Sequence, residues 1–140
     1  MKTSARNQLQ GTVTALVTGA VNSEVQIDLT GGDQLTAIIT NTSAEHLGLS
    51  EGVSVYALIK ASSVIVAPAD MPRTSARNQF CGMVSACREG AVNGEVEIEL
   101  AGGNRIAAII TNESIRNLGI SQGGKACALI KASSVILAVD

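Results

Sequence analysis

The chain is written twice. Residues 3–67 align with residues 74–138 without a gap, at an offset of 71 positions, and 39 of the 65 aligned pairs are identical. TSARNQ recurs at Thr3 and Thr74, GAVN at Gly19 and Gly90, and ALIKASSVI at Ala57 and Ala128. A duplication of this kind constrains the fold before any single residue does, because one small supersecondary plan must serve both halves. The connector, residues 68–73, is short and carries two prolines. Fully extended it reaches roughly 20–25 Å, so the two halves lie close together. The sequence therefore divides into a first domain at 1–67, a linker at 68–73 and a second domain at 74–140.

Each half has about 65 residues and almost no aromatic mass: Phe80 and Tyr56 are the only aromatics and there is no Trp. The core must be built from Val, Ile, Leu and Ala. Domains this small bury a low fraction of their surface and are marginal alone. The cysteines, Cys81, Cys87 and Cys127, are odd in number and show no CxxC spacing. They read as small hydrophobes in a reducing compartment, neither a disulfide framework nor a zinc site. The remedy left is burial between the halves or between chains.

One half reads as five strands and one short helix. Residues 10–17 alternate and are rich in Thr and Val, which predicts a strand. Residues 24–29 alternate cleanly, with Val25, Ile27 and Leu29 inward and Glu24, Gln26 and Asp28 outward. Gly31-Gly32-Asp33 and Gly102-Gly103-Asn104 read as hairpin turns, and residues 34–40 as a third strand. A helix is expected over residues 42–47, with Thr42-Ser43-Ala44-Glu45 as a capping box and Gly48 just past its end. Residues 53–60 and 63–67 complete the set. The fourth strand is apolar on both sides, with Tyr56 and Leu58 opposite Val55, Ala57 and Ile59. A strand with one wet face should not be, so its second face calls for cover by another domain or subunit, or by the C-terminal segment of the same half. The fold class is all-β: a small barrel of the OB type in each half.

The function classes narrow by exclusion. A net charge of −2 and a pI near 5.4 lack the basic footprint of a nucleic-acid binder, and no aromatic recurs in both halves to serve as a stacking platform. No apolar run is long enough to span a bilayer. The polar first residues carry no secretory signal, which predicts a cytoplasmic protein. Catalysis has little to stand on: the single histidine, His46, is matched by Asn117, and the first half has no cysteine. The double-glycine turns lack the GK[ST] of a phosphate loop.

Comparison of the halves picks out what has been kept. Surface charges have drifted: Glu45 faces Arg116, Glu51 faces Gln122, Val17 faces Arg88. Three charged pairs are unchanged: Arg6/Arg77, Glu24/Glu95 and Lys60/Lys131. The cations sit among hydroxyls, in Ser4-Ala5-Arg6 and Lys60-Ala61-Ser62-Ser63, in segments that contain no carboxylate. Such donor-rich segments suit a fully deprotonated oxyanion, which offers only acceptors. The plainer alternative is that these are solvated charges flanking strands, with Glu24 and Glu95 paired to a retained cation or in water.

TSARNQ, GTV, GAVN, ITN-S---LGL and IKASSVI, in this order and twice over, resemble the molbindin family of molybdate-binding proteins, built from Mop (TOBE-like) domains. The tandem arrangement is similar to the di-Mop type. The resemblance implies two OB-like Mop barrels, each with one short helix, a homotrimer of two-domain chains, and oxyanion sites between subunits. One kind of site would use Ser4, Ala5, Arg6, Lys60, Ala61, Ser62 and, in the second half, Ser75, Ala76, Arg77, Lys131, Ala132, Ser133. The other would lie on the threefold axis and use Gly19, Ala20, Val21, Asn22 and Gly90, Ala91, Val92, Asn93. It implies molybdate as ligand, tungstate as its analogue, a cytoplasmic storage or homeostasis role, and no enzyme activity. It implies no nucleic acid, membrane or obligatory protein partner, in a stand-alone form without a DNA-binding domain or P-loop ATPase. The alternative is a molybdate-sensing module that acts on a protein partner.

Overall fold

The strict alternation of Val25, Ile27 and Leu29 with polar residues makes β2 (Asn22–Leu29) a half-buried strand, and the three apolar side chains are at most 3% exposed. In the computed structural model, which describes residues 1–70 and 73–140, this strand pairs antiparallel with β1 (Asn7–Thr18) on one side and β3 (Gln34–Thr40) on the other. A β-bulge between Val13 and Ala15 bends β1, and Gly11 lies just before it, where a Cβ would stand 2.6 Å from the Asp28 carbonyl oxygen. The repeat brings the same bulge, between Val84 and Ala86, to β6 (Asn78–Glu89), with Gly82 in the place of Gly11.

The first sheet runs β10-β4-β1-β2-β3 and the second β5-β9-β6-β7-β8. Here β4 is Ser54–Ile59, β5 Ile65–Pro68, β7 Asn93–Glu99, β8 Arg105–Thr111, β9 Lys125–Ile130 and β10 Ile136–Ala138. The last strand of each half is thus exchanged. β5 leaves the first half to pair with β9, and β10 leaves the second half to pair with β4. The sequence repeat and the sheet are therefore different units: each sheet takes four strands from one half and its edge strand from the other. The apolar fourth strand gains an edge partner, which is distinct from the cover expected for its second face. Its open edge is filled by the other half and not by its own C-terminal segment, while Tyr56 and Leu58 stay half-exposed.

A single 3-10 turn precedes each exchanged strand, at Ala61–Ser63 and Ala132–Ser134. The first packs on β8 and the second on β3, so each turn reaches across to the opposite half. The helices are α1 (Asn41–His46) and α2 (Asn112–Asn117). Their N-caps are Thr40 and Thr111, each accepting a hydrogen bond from the backbone N–H three residues on. The helix begins one residue ahead of the expected Thr42 because the hydroxyl of Thr40, at the end of β3, already satisfies a first-turn donor.

One contiguous apolar core runs through both halves, from Leu9, Val25, Ile27 and Val55 to Val96, Ile98, Ile106 and Ile130. Two buried asparagines stitch it across the pseudo-twofold. Asn7 donates to the Ala107 carbonyl at 2.9 Å and accepts from the Ala107 N–H at 2.8 Å; Asn78 does the same with Thr36, both at 2.8 Å. The double-glycine hairpins meet tip to tip, and a Cβ on Gly31 would lie 2.5 Å from the Gly102 carbonyl oxygen.

The cysteine expectation is corrected. Cys81 and Cys127 sit directly opposite each other in the β6–β9 ladder and form a disulfide. Their separation of 46 residues gives no signal in sequence, because only strand register makes them neighbours. Cys87 is free and half-buried, and burial pushes its thiol pKa up. Of the expected linker, Pro68 closes β5, while Met71 and Pro72 lie outside the described residues.

Candidate functional site

Strand register brings the two basic elements of each half together. Asn7 faces Ile59 as the last pair of the β1–β4 ladder, so Arg6 and Lys60 are adjacent just beyond it. Asn78 faces Ile130 in the same way, which places Arg77 beside Lys131. Ser4, Arg6, Lys60 and Ser62 are exposed, as are Ser75, Arg77, Lys131 and Ser133. Ala61 and Ala132 are buried and anchor the turns that follow each lysine; Ala5 and Ala76 are half-buried.

The arginines are less free than the sequence suggests. Arg6 forms an ion pair with Glu95, and Arg77 holds Glu24 with a fork of 2.7 and 3.4 Å. Both pairs cross between the halves. The Arg77 guanidinium, by its hydrogen bond and charge, holds the Glu24 carboxyl below the usual carboxylate range, and Arg6 does so for Glu95. The alternative that Glu24 and Glu95 pair with a retained cation is borne out: a glutamate from the other half joins each basic element, and its charge is neutralised there by arginine. Among the described residues Lys60 and Lys131 take part in no ion pair. Their ammonium groups are the uncommitted cations of the two elements.

The GAVN turns lie at the far end of the long β1 and β6 strands from these elements. Their acceptors are used internally. Asn41 donates its backbone N–H to the Val21 carbonyl at 2.8 Å and its side-chain amide to the Gly19 carbonyl at 2.9 Å, while the Gly19 N–H reaches the Asn22 carbonyl at 2.8 Å. Asn112 braces Gly90 and Val92 in the same pattern. The N–H groups of Ala20 and Val21 meet no acceptor among the described residues, which leaves two donors of the turn uncommitted. Val21 and Val92 stand out from the surface at 69% and 71% exposure.

The exchange of strands also brings the two motif classes towards each other. A groove of about 690 Å3 runs between β3–α1 of the first half and the 132–134 turn with β10 of the second. Asn22 of the GAVN turn and Ser133 of the KAS element both line it. Thr40, Thr42, Ser43 and His46 add a polar rim over a floor of Ile38, Leu47 and Val135. Sequence reasoning missed these rim residues. The repeated ITN-S pattern was the available signal, but it served only as part of the family resemblance, while the cap was expected at Thr42 and is made by Thr40.

A TOBE-domain family model matches residues 3–66 and again residues 74–137. The chain belongs to the TOBE-domain family. Among proteins with solved structures, this TOBE pair superposes on the cytoplasmic molybdate-binding protein ModG, in a form with molybdate bound, with a TM-score of 0.96 and 48% identity over the whole of both chains. The molybdenum-pterin-binding protein MopA of Rhodobacter capsulatus is 49% identical over 140 residues, 99% of this chain and 53% of its own. The molybdenum transport protein ModE of Azotobacter vinelandii is 46% identical over 139 residues, 99% of this chain and 52% of its own. The chain thus spans about half the length of the curated relatives it matches. The all-β, tandem OB-like reading is borne out, with the exchanged edge strands as the feature the sequence did not reveal.

Proposed function

We propose that this TOBE pair is a cytoplasmic molybdate-binding protein for oxyanion storage and homeostasis, with tungstate as an analogue and no catalytic step. The observation that carries the reading is the pairing of an uncommitted lysine with hydroxyl and amide donors in each half, on a backbone like that of molybdate-bound ModG along its whole length. Molybdate is a tetrahedral dianion that only accepts hydrogen bonds near neutral pH. Lys60 or Lys131 supplies charge, and Ser4, Ser62, Ser75 and Ser133 supply rotatable donors. The Ser-x-Arg and Lys-Ala-Ser elements form one class of site. The GAVN turns form the other, around a threefold axis.

A single chain leaves these sites open to solvent. We therefore infer a homotrimer whose subunits close them. Equivalent exposed apolar residues in both halves support it: Ile65 with Ile136, and Val21 with Val92, all more than 60% exposed. Sensing is the second reading, favoured by the likeness to the DNA-binding dual regulator ModE of Escherichia coli, 36% identical over 140 residues.

Calorimetric titration with molybdate, run with light scattering, tests the proposal. Storage predicts saturable molybdate binding, effective competition by tungstate, poor competition by phosphate, and a particle of about 43 kDa, three times the 14.3 kDa of one chain. A stable monomer, or phosphate displacing molybdate at comparable concentration, overturns it. Capture of a protein partner only in the presence of molybdate favours sensing.

A further inference from the structure

We infer that the two Lys-Ala-Ser sites of the chain are unequal, and that Glu113 is the residue that weakens one of them. The inference rests on the oxyanion-binding reading above and adds a specificity determinant to it.

The groove beside Ser133 is walled by the face of α1 that carries Thr42, Ser43 and His46. Glu45 does not line this groove; it lines a separate hollow with Leu16, Thr18 and Ser23. The pseudo-twofold builds the same arrangement for the other site: the 61–63 turn packs on β8, and α2 packs on β8 as α1 packs on β3. The offset of 71 then puts Ser62 in the place of Ser133, Asn117 in that of His46, and Glu113 in that of Thr42. The phase of α2 is fixed independently. Arg116, the counterpart of Glu45, pairs at 2.8 Å with Glu89, the counterpart of Thr18. Arg116, one helical turn from Glu113, is therefore engaged by Glu89.

The charge balance of the two sites follows. Ser133, two residues after Lys131, lines a groove whose α1 face carries Thr42, Ser43 and His46. By the repeat, Ser62 meets a wall in which Glu113 takes the place of Thr42, and Glu113 forms no ion pair among the described residues. Arg6 and Arg77 are each spent on a glutamate, Glu95 and Glu24, and Arg88, whose counterpart is Val17, adds a 3.9 Å contact to Glu95. A carboxylate roughly 10 Å from a dianion in a water-like medium lowers its affinity about 3- to 10-fold, an effect that salt screens.

The test is calorimetry with sodium molybdate on the full chain at low and high ionic strength. Lys60→Ala and Lys131→Ala identify which affinity class belongs to which site. In the parent protein the Lys60 class is the weaker. Glu113→Gln tightens that class about 3- to 10-fold at low salt and leaves the Lys131 class unchanged, while Thr42→Glu weakens the Lys131 class by a similar factor. Both effects shrink at high salt. Equal classes in the parent, or a Glu113→Gln protein whose affinities match the parent while its melting temperature falls, overturn the inference and leave Glu113 as helix support alone. A parent protein that binds no molybdate overturns the functional reading itself.

Discussion

Replacing Asn78 with alanine should destabilise the whole molecule, because that amide is a bolt between the halves. Asn78 is 2% exposed, and its side chain spans the gap to β3 as a third strand would, meeting both the N–H and the carbonyl of Thr36 at 2.8 Å. Thr36 is itself only 8% exposed. Alanine removes both partners at once and leaves two backbone groups orphaned away from water. Each orphan costs about 1–3 kcal/mol, so the total is about 2–6 kcal/mol, a large share of a typical domain stability. Urea unfolding followed by far-ultraviolet circular dichroism, at matched protein concentration, reads this directly. With a slope of about 2 kcal/mol/M, the midpoint should fall by about 1–3 M while the slope holds. Asn78→Asp keeps the acceptor for the Thr36 N–H but sets a carboxylate against the Thr36 carbonyl. It should be as damaging at neutral pH and recover in part when acid restores a donor. An Asn78→Ala protein within about 0.5 kcal/mol of the parent would refute the reasoning, for it would mean that water or backbone relaxation satisfies Thr36.

Lys60→Ala and Lys131→Ala should each weaken one class of molybdate site roughly 30- to 1000-fold, since each removes a charged hydrogen bond to a buried dianion. The GAVN class should survive the double variant, and calorimetric stoichiometry checks both statements. The Glu24–Arg77 and Glu95–Arg6 pairs make stability depend on acid. Both carboxyls titrate below their ordinary 4.5, so their contribution is full above that pH and is lost as pH falls through the lowered values. Glu24→Gln with Glu95→Gln should flatten the acid limb of a melting-temperature profile, and an unchanged limb would count against the pairs.

Much of the site was legible because duplication acts as an internal comparison. Arg6/Arg77, Glu24/Glu95 and Lys60/Lys131 stood out as retained charges, and the structure joins four of the six into the two cross-half pairs. The β2 and β7 hairpin strands were legible from alternation alone. Asn7 and Asn78 were not, although they lie inside the repeated TSARNQ, because an asparagine in sequence looks the same whether it caps a turn, meets solvent or bridges two sheets. The Cys81–Cys127 bond was hidden for a related reason, since it depends on the register of β6 against β9.

The sequence by itself determined the local plan: which stretches alternate, where the chain turns at Gly31-Gly32 and Gly102-Gly103, and that the plan is used twice. These follow from side-chain period and backbone freedom, which are properties of neighbouring residues. Only the tertiary structure decided that β5 and β10 change places. An exchanged strand has the same composition, pattern and hydrogen-bonding groups as one that stays at home. The choice between them depends on whether the residues after each lysine pack on their own half or on β3 and β8 of the other, a competition between long-range contacts that leaves no mark on local pattern.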